Sequence, residues 1–207
     1  GFLLDFSPEI NYHKHYINRY AFLFNEYIGN KYVYLPELSL RYTGQKTFQF
    51  DNSHKTIALY LGGENKEFRK YPDEYAVQLL RLLNRQGYNL LLIGDENDNI
   101  KHTQYAEEAR IDHLINLTAR TTIEGFINTI ANVDLIITID SSALHIAAAV
   151  KTPFIALMGL STSPTSTILP KVPLGRILKI ENNLIREEDY IRNITPDLIL
   201  KTISELI

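Results

Sequence analysis

The chain has 207 residues, of which 21 are Lys or Arg and 24 are Asp or Glu, for a formal net charge of −3. That length holds one ordinary domain with extra segments or two small ones, and 45% hydrophobic residues suffice for a sizeable core. The charge balance lacks the concentrated positive charge of general nucleic-acid binding, the absence of Cys excludes disulfides and thiolate metal sites, and no apolar run approaches the roughly 18 residues that span a bilayer.

Residues 1–50 hold much of the aromatic content of 13 Tyr and 9 Phe. Gly1-Phe2-Leu3-Leu4-Asp5 has no basic segment ahead of a long apolar stretch, so no secretory signal is read there, and the missing initiator Met is taken as a fragment boundary. From Tyr12 to about Gly29, Tyr16, Ile17, Tyr20, Ala21, Phe24 and Ile28 recur at helical spacing, with Gly29-Asn30 as a stop. The stretch through Pro36 to about Asn52 has no clear period and is expected to be a linker with some extended structure.

From Lys55 a regular alternation begins. Thr56–Leu61 is a short apolar run that ends in Gly62-Gly63, and a helix is predicted over about 72–86, with Ala76, Leu79, Leu80 and Leu83 on one face. Pro72 suits its first turn and Gly87 its end. Leu90–Ile93 is a second strand, followed by a helix over about 99–110; Leu114–Leu117 is a third, followed by a helix over 122–132 capped by Thr121 or Thr122. Leu135–Ile139 is a fourth strand ending at Asp140. A helix over about 142–150 leads to a fifth strand, Phe154–Met158, and Arg176–Ile180 is a sixth. Thr195-Pro196-Asp197 starts a last helix, predicted over 196–207. The strands are apolar throughout, as expected where helices cover both faces of a parallel sheet. The fold class is therefore α/β with a doubly wound, Rossmann-like parallel sheet, divided as a helical lead-in over 1–50 and the sheet domain over 51–207.

Ligands of such sheets bind beyond the carboxyl ends of the strands. Four segments there bear chemistry. In the first, Gly62 and Gly63 let backbone N–H groups approach a ligand, and Lys66, Arg69 and Lys70 add positive charge before a helix N-terminus; this suits a diphosphate, and it equally suits a solvated loop. In Gly94-Asp95-Glu96-Asn97-Asp98, three readings stand: a helix cap, an acid that meets a ribose hydroxyl pair, or carboxylates that hold a divalent cation. In Asp140-Ser141-Ser142-Ala143-Leu144-His145, the acid can accept from sugar hydroxyls, the serines can donate hydroxyl and backbone hydrogens to phosphate, and His145 can reach the same anion. There the bland alternatives are an N-cap at Asp140-Ser141 and a core histidine at His145. A Ser-His-Asp hydrolase is set aside because the glycine-flanked nucleophile turn is missing. The fourth segment, Gly159–Thr165 with Ser161 and Thr162, either reaches the same ligand or is a surface turn.

The order of these pieces resembles glycosyltransferase family nine, the heptosyltransferase group. The specific stretch is N-V-D-L-I-I-T-I-D-S-S-A-L-H-I-A-A-A-V-K-T-P-F-I-A-L-M-G over 132–159, supported by G-G…R-K-Y-P, L-L-L-I-G-D-E-N-D and L-T-A-R-T-T-I-E-G-F upstream, across roughly 55–207. The resemblance implies the nucleotide-sugar-binding half of a GT-B enzyme, its donor ADP-heptose and its acceptor a lipopolysaccharide or other cell-envelope glycan. The acceptor half, mostly absent from residues 1–50, would carry the catalytic base, so no catalytic residue is assigned. The resemblance would put Asp140 on sugar hydroxyls, Ser141, Ser142 and His145 at the diphosphate and sugar, Arg69 or Lys70 on phosphate, Glu96 or Asp98 at the ribose, and Arg120 and Thr121 along the adenine. It implies no metal and no cofactor, and a cytoplasmic location with peripheral contact at the inner membrane face. The sequence departs from the family at Ser142, where Gly is common, and at Tyr71, where Trp is common. Two rivals remain: a non-catalytic nucleotide or sugar-nucleotide binding module, and a doubly wound oxidoreductase or hydrolase, although Gly62-Gly63 is not the spaced dinucleotide fingerprint.

Overall fold

The computed structural model describes Tyr27, Gly29 and residues 39–62, 70–159, 170, 172–180 and 186–207, without the side chains of 187 and 188. The chain divides into two compact units, Gly1–Leu38 with Ser161–Leu169 and Ser39–Leu160 with Pro170–Ile207. Of the helix expected from Tyr12, Tyr27 is helical and Gly29 takes a φ of 68°, the left-handed stop that Gly suits; its other residues lie outside the described ones.

The second unit is a six-stranded parallel sheet: β1 Thr56–Tyr60, β2 Asn89–Leu92, β3 Leu114–Asn116, β4 Leu135–Ile139, β5 Phe154–Met158 and β6 Gly175–Lys179. The spatial order is β3-β2-β1-β4-β5-β6, every pairing parallel. The doubly wound sheet expected from the sequence is present. Ile57, Ala58, Leu59, Leu90, Leu91, Leu92, Ile136 and Ile137 are all fully buried, which is why β1, β2 and β4 read as predominantly apolar without alternation.

Among the described residues five α-helices flank the sheet: α1 Asp73–Arg85, α2 Asn99–Ala109, α3 Ile123–Ala131 and α4 Ser142–Val150 between strands, and α5 Pro196–Ile203 after β6. α1 packs with α2 and α5, and α3 packs with α4. Right-handed crossovers on either side of the β1–β4 pair put these two groups on opposite faces. α1 turns Ala76, Val77, Leu79, Leu80 and Leu83 to the sheet and ends at Gly87, where φ is 82°. Just before it the ring of Tyr71 is buried, and its hydroxyl donates to the Ile194 carbonyl at 2.9 Å. A phenol thus occupies the core position, and burial holds its pKa far above the ordinary value, so that it remains a donor. α4 presents Ala143, Ala147 and Ala148, small enough for close approach to the sheet.

Thr122 is the cap of α3, its Oγ1 accepting from the Gly125 amide at 3.1 Å. Thr122→Ala is expected to lower unfolding free energy by about 1 kcal/mol, read in a urea titration with an unchanged slope. α5 is shorter than the predicted 196–207: it stops at Ile203, and the amides of Leu206 and Ile207 both turn back onto the Ile203 carbonyl at 2.9 and 3.1 Å. A 3-10 helix over Glu187–Asn193 precedes it, which the polar run there did not announce.

The segment expected as linker belongs in part to the sheet unit, which begins at Ser39. The Gly44 amide donates to Asn128 Oδ1 at 3.1 Å, Asn128 Nδ2 donates to Thr43 Oγ1 at 2.8 Å, and the Thr47 and Thr129 hydroxyls lie 2.6 Å apart. These bonds satisfy two buried polar residues of α3 that periodicity alone would leave unexplained. Among the described residues no helix is long and apolar enough to cross a membrane.

Candidate functional site

The sheet order reverses between β1 and β4, adjacent in space and paired over Ile57–Tyr60. In open parallel sheets the crevice that takes a ligand lies beyond the carboxyl ends of two such strands, whose helices leave to opposite faces. The helices that follow these strands, α1 and α4, both begin without a side-chain cap bond. α2, which continues from the 3-10 turn capped by Asp95, also begins without one, whereas α3 and α5 have such caps, from Thr122 and Thr195. The first amides of α1 and α4 thus lie at the positive ends of two helix dipoles with no bond from the N-cap side chain.

Local bonding explains the missing cap of α4. Ser141 occupies the N-cap position with extended backbone, yet its Oγ lies 2.9 Å from Thr138 Oγ1. Thr138 gives its own hydroxyl hydrogen to the Ile139 carbonyl at 2.9 Å, so the bond between the two hydroxyls must be donated by Ser141. The Ser141 hydroxyl is bonded to Thr138 inside the protein. Ser141 thus holds the N-cap position without a capping bond from its own side chain. Asp140 is half-buried at the end of β4, Ser142 is exposed at the first position of α4, and His145 is exposed one turn on. The exposure of His145 excludes the core-histidine alternative.

On the α1 side, Gly62 follows β1 and Lys70 is half-buried ahead of the helix; Gly63, Lys66 and Arg69 lie outside the described residues, as do Ser161 and Thr162. Asp73 opens α1, but its carboxylate turns towards α2, meeting Lys101 Nζ at 2.5 Å and the Tyr105 hydroxyl. Burial works against its charge, and the hydrogen bonds from Lys101 and Tyr105, with the charges of Lys101 and Lys70, more than offset that, so its pKa is lowered.

Beyond β2 the acids separate by environment. Asp95 caps the 3-10 turn Glu96–Asp98, its Oδ1 accepting from the Asn97 amide at 2.8 Å, while Asp98 Oδ2 accepts from the Asp95 amide at 3.3 Å. The capping geometry weighed for this segment is thus present. Asp98 is 5% exposed, whereas Glu96 is exposed. Among the described residues no group of three His, Asp or Glu side chains is placed to hold a metal ion.

Beyond β3 the chain makes a tight turn. Ala119 has a φ of 59°, its amide donates to the Gly94 carbonyl at 3.2 Å, and the Arg120 amide donates to the Leu117 carbonyl at 3.0 Å. A left-handed Ala costs about 1–2 kcal/mol and persists only where its surroundings enforce it. The turn presents Arg120, exposed, and Thr121, half-buried. Behind it sits a residue that sequence reasoning passed over. His102 of α2 is fully buried, with Nδ1 2.7 Å from Thr118 Oγ1 and with no partner for Nε2 among the described residues. Burial pushes its pKa down to about 4, against the opposing charge of Asp95.

Gly62, Glu96, Arg120, Thr121, Asp140, Ser141 and Ser142 thus follow the carboxyl ends of four neighbouring parallel strands and share one rim. At the opposite, amino-end rim a groove of about 840 Å³ is lined by Asn52, Asn89, Asn132 and Asp134. Its polar groups largely bond one another: Asn89 Nδ2 donates to Asn52 Oδ1 at 2.8 Å, and Asp134 Oδ2 accepts from the Thr56 amide at 2.8 Å.

A six-stranded doubly wound parallel sheet with helices on both faces is a Rossmann-like α/β domain. The chain belongs to glycosyltransferase family 9, the heptosyltransferase family, whose model matches residues 2–188. The lipooligosaccharide heptosyltransferase 2 of Haemophilus influenzae is 31% identical over 158 residues, covering 70% of this chain and 45% of that protein. The lipopolysaccharide heptosyltransferase 2 of Salmonella typhimurium is 25% identical over 172 residues, covering 77% of this chain and 49% of that protein. The chain spans about half the length of the curated relatives it matches. In fold it is similar to a family 9 glycosyltransferase of Veillonella parvula, with a TM-score of 0.79 at 17% identity over 96% of this chain and 62% of that one. It is also similar to the Escherichia coli heptosyltransferase WaaC solved with ADP, with a TM-score of 0.71 at 16% identity over 98% of this chain and 60% of that one.

Proposed function

We propose that this chain is the donor-binding part of a glycosyltransferase that moves a heptose from ADP-heptose to a lipopolysaccharide or related cell-envelope glycan at the inner face of the cytoplasmic membrane. The observation that carries the proposal is the pair of uncapped helix N-termini, α1 and α4, at the β1–β4 switch point. Two helix N-termini at the switch point, with Lys70 ahead of α1, suit a diphosphate, whose charge grows as it leaves. The reaction is a direct displacement. A base on the acceptor part takes the proton of the attacking hydroxyl, the bond from the anomeric carbon to the diphosphate breaks, and the electron pair leaves with ADP. Asp140 accepts from the sugar hydroxyls, Ser142 and His145 meet the diphosphate, Glu96 meets the ribose, and the turn at Arg120 and Thr121 borders the adenine. That WaaC was solved with ADP supports the choice of base.

Calorimetric titration with ADP, ADP-heptose, UDP-sugars and NAD tests this reading. ADP-heptose is expected to bind and NAD is not. Asp140→Ala is expected to weaken ADP-heptose about tenfold or more and to leave ADP within about twofold, because only the sugar is lost to it. His145→Ala is expected to weaken both by about tenfold. A chain that binds none of these nucleotides, or variants that match the wild type for both ligands, would show that the crevice is not a donor site.

A further inference from the structure

Gly62, at the end of β1, looks from the sequence like an opening for a ligand, and Gly94 stands at the end of the neighbouring β2. The space where their side chains would be is already filled. A Cβ on Gly62 would stand 1.8 Å from Asp98 Oδ1 and 2.2 Å from its Cγ, and a Cβ on Gly94 would stand 2.7 Å from Asp98 Oδ2. β1 and β2 are neighbours in the sheet, so the Asp98 carboxylate sits in one notch made by two missing side chains. It is 5% exposed and accepts from the Asp95 amide at 3.3 Å. A buried carboxylate is costly to keep unless its bonds are returned in organisation of the chain around it. Glu96, two residues earlier on the same turn, is exposed.

We propose that Asp98 is a positioning residue, a carboxylate that locks the carboxyl ends of β1 and β2 together through the gap left by Gly62 and Gly94, and not a ligand of the donor's ribose. It sets the Gly62 corner and the turn over 94–97 from behind, and Gly62 serves Asp98 first and a ligand second. The consequence for nucleotide affinity rests on the donor-site reading above; the coupling between Asp98 and Gly62 does not.

The coupling is measured by urea unfolding of wild type, Gly62→Ala, Asp98→Ala and the double variant. Gly62→Ala is expected to lower the folding equilibrium constant about tenfold or more in the wild type, and by no more than about threefold once Asp98→Ala has emptied the notch. If Asp98→Ala does not fold, Asp98→Ser opens the same space and replaces it in the cycle. Equal effects of Gly62→Ala in both backgrounds would overturn the proposal. For the ligand, ADP and 2′,3′-dideoxy-ADP are titrated against wild type and Asp98→Ala. A positioning residue weakens both by the same factor, about tenfold, and Asp98→Asn, which keeps the shape and one acceptor oxygen, recovers most of it. A loss seen with ADP and absent with the dideoxy analogue would make Asp98 a ribose ligand and overturn the proposal. Should the wild type bind neither nucleotide, the donor-site reading fails, and the unfolding cycle still decides the role of Asp98.

Discussion

Phe154→Ala is expected to lower unfolding free energy by about 3–5 kcal/mol, the largest single effect that the fold implies. Phe154 opens β5, is 1% exposed, and pairs in register with Gly175 of the edge strand β6. Its ring covers Gly175 so closely that a Cβ there would stand 2.1 Å from Cζ and 2.5 Å from Cε2. The ring thus occupies its own volume and that of the residue beside it, and truncation leaves a cavity with little to collapse into it. The reverse substitution is costly too: Gly175→Ala meets a ring packed in the core, and overpacking of this kind costs about 1–3 kcal/mol. The two changes are complementary, so Phe154→Ala with Gly175→Ala is expected to cost less than the sum of the two alone. Urea unfolding of the four proteins checks it. Strict additivity would mean that ring and glycine do not share the space.

The fold was largely legible because its strands are buried on both faces. A run such as Leu135–Ile139 has no polar residue to alternate except Thr138, and each of the first four runs is followed by a helix with a recognisable start or stop. The rim was legible for the same reason, since a parallel sheet puts every strand-to-helix turn at one edge. What stayed hidden depends on contacts distant in sequence. Asp98 stands in a run of acids and amides that suggests a solvated turn, and only the approach of Gly62, on another strand, shows its carboxylate to be enclosed. His102 stands in the polar run N-I-K-H-T-Q-Y of a weakly amphipathic helix, and nothing local marks it as the residue that faces Thr118. The bond between the Ser141 and Thr138 hydroxyls, three residues apart, is likewise not visible in the spacing.

His102 also makes the protein acid-sensitive in a defined window. Its ring is fully buried and its pKa is pushed down to about 4 from an ordinary value of 6.5. Between those values the unfolded chain binds a proton that the folded one refuses, so acidification favours unfolding. The stabilising contribution is complete above pH 6.5, declines as the pH falls, and is gone near pH 4, where the folded protein takes the proton as well. Integrated over the window it amounts to about 3 kcal/mol, with a limiting slope of about 1.4 kcal/mol per pH step. Asp73 acts with the same sign but later: its lowered pKa gives stability that is present above 3.8 and lost below it as its carboxylate takes up a proton. The two are therefore separable on the pH axis. Unfolding free energies measured between pH 7.5 and 3.5 are expected to fall most steeply between 6.5 and 4, and His102→Gln, which cannot titrate, is expected to flatten that stretch while leaving the lower one. An imidazole titration near pH 6.5 by NMR, or an unchanged slope in His102→Gln, would place the acid sensitivity elsewhere. Because Thr118 leads into the turn that carries Arg120 and Thr121, the same protonation puts a charge behind one wall of the crevice. Loss of nucleotide affinity is then expected to follow the same window in wild type and to be absent from the glutamine variant.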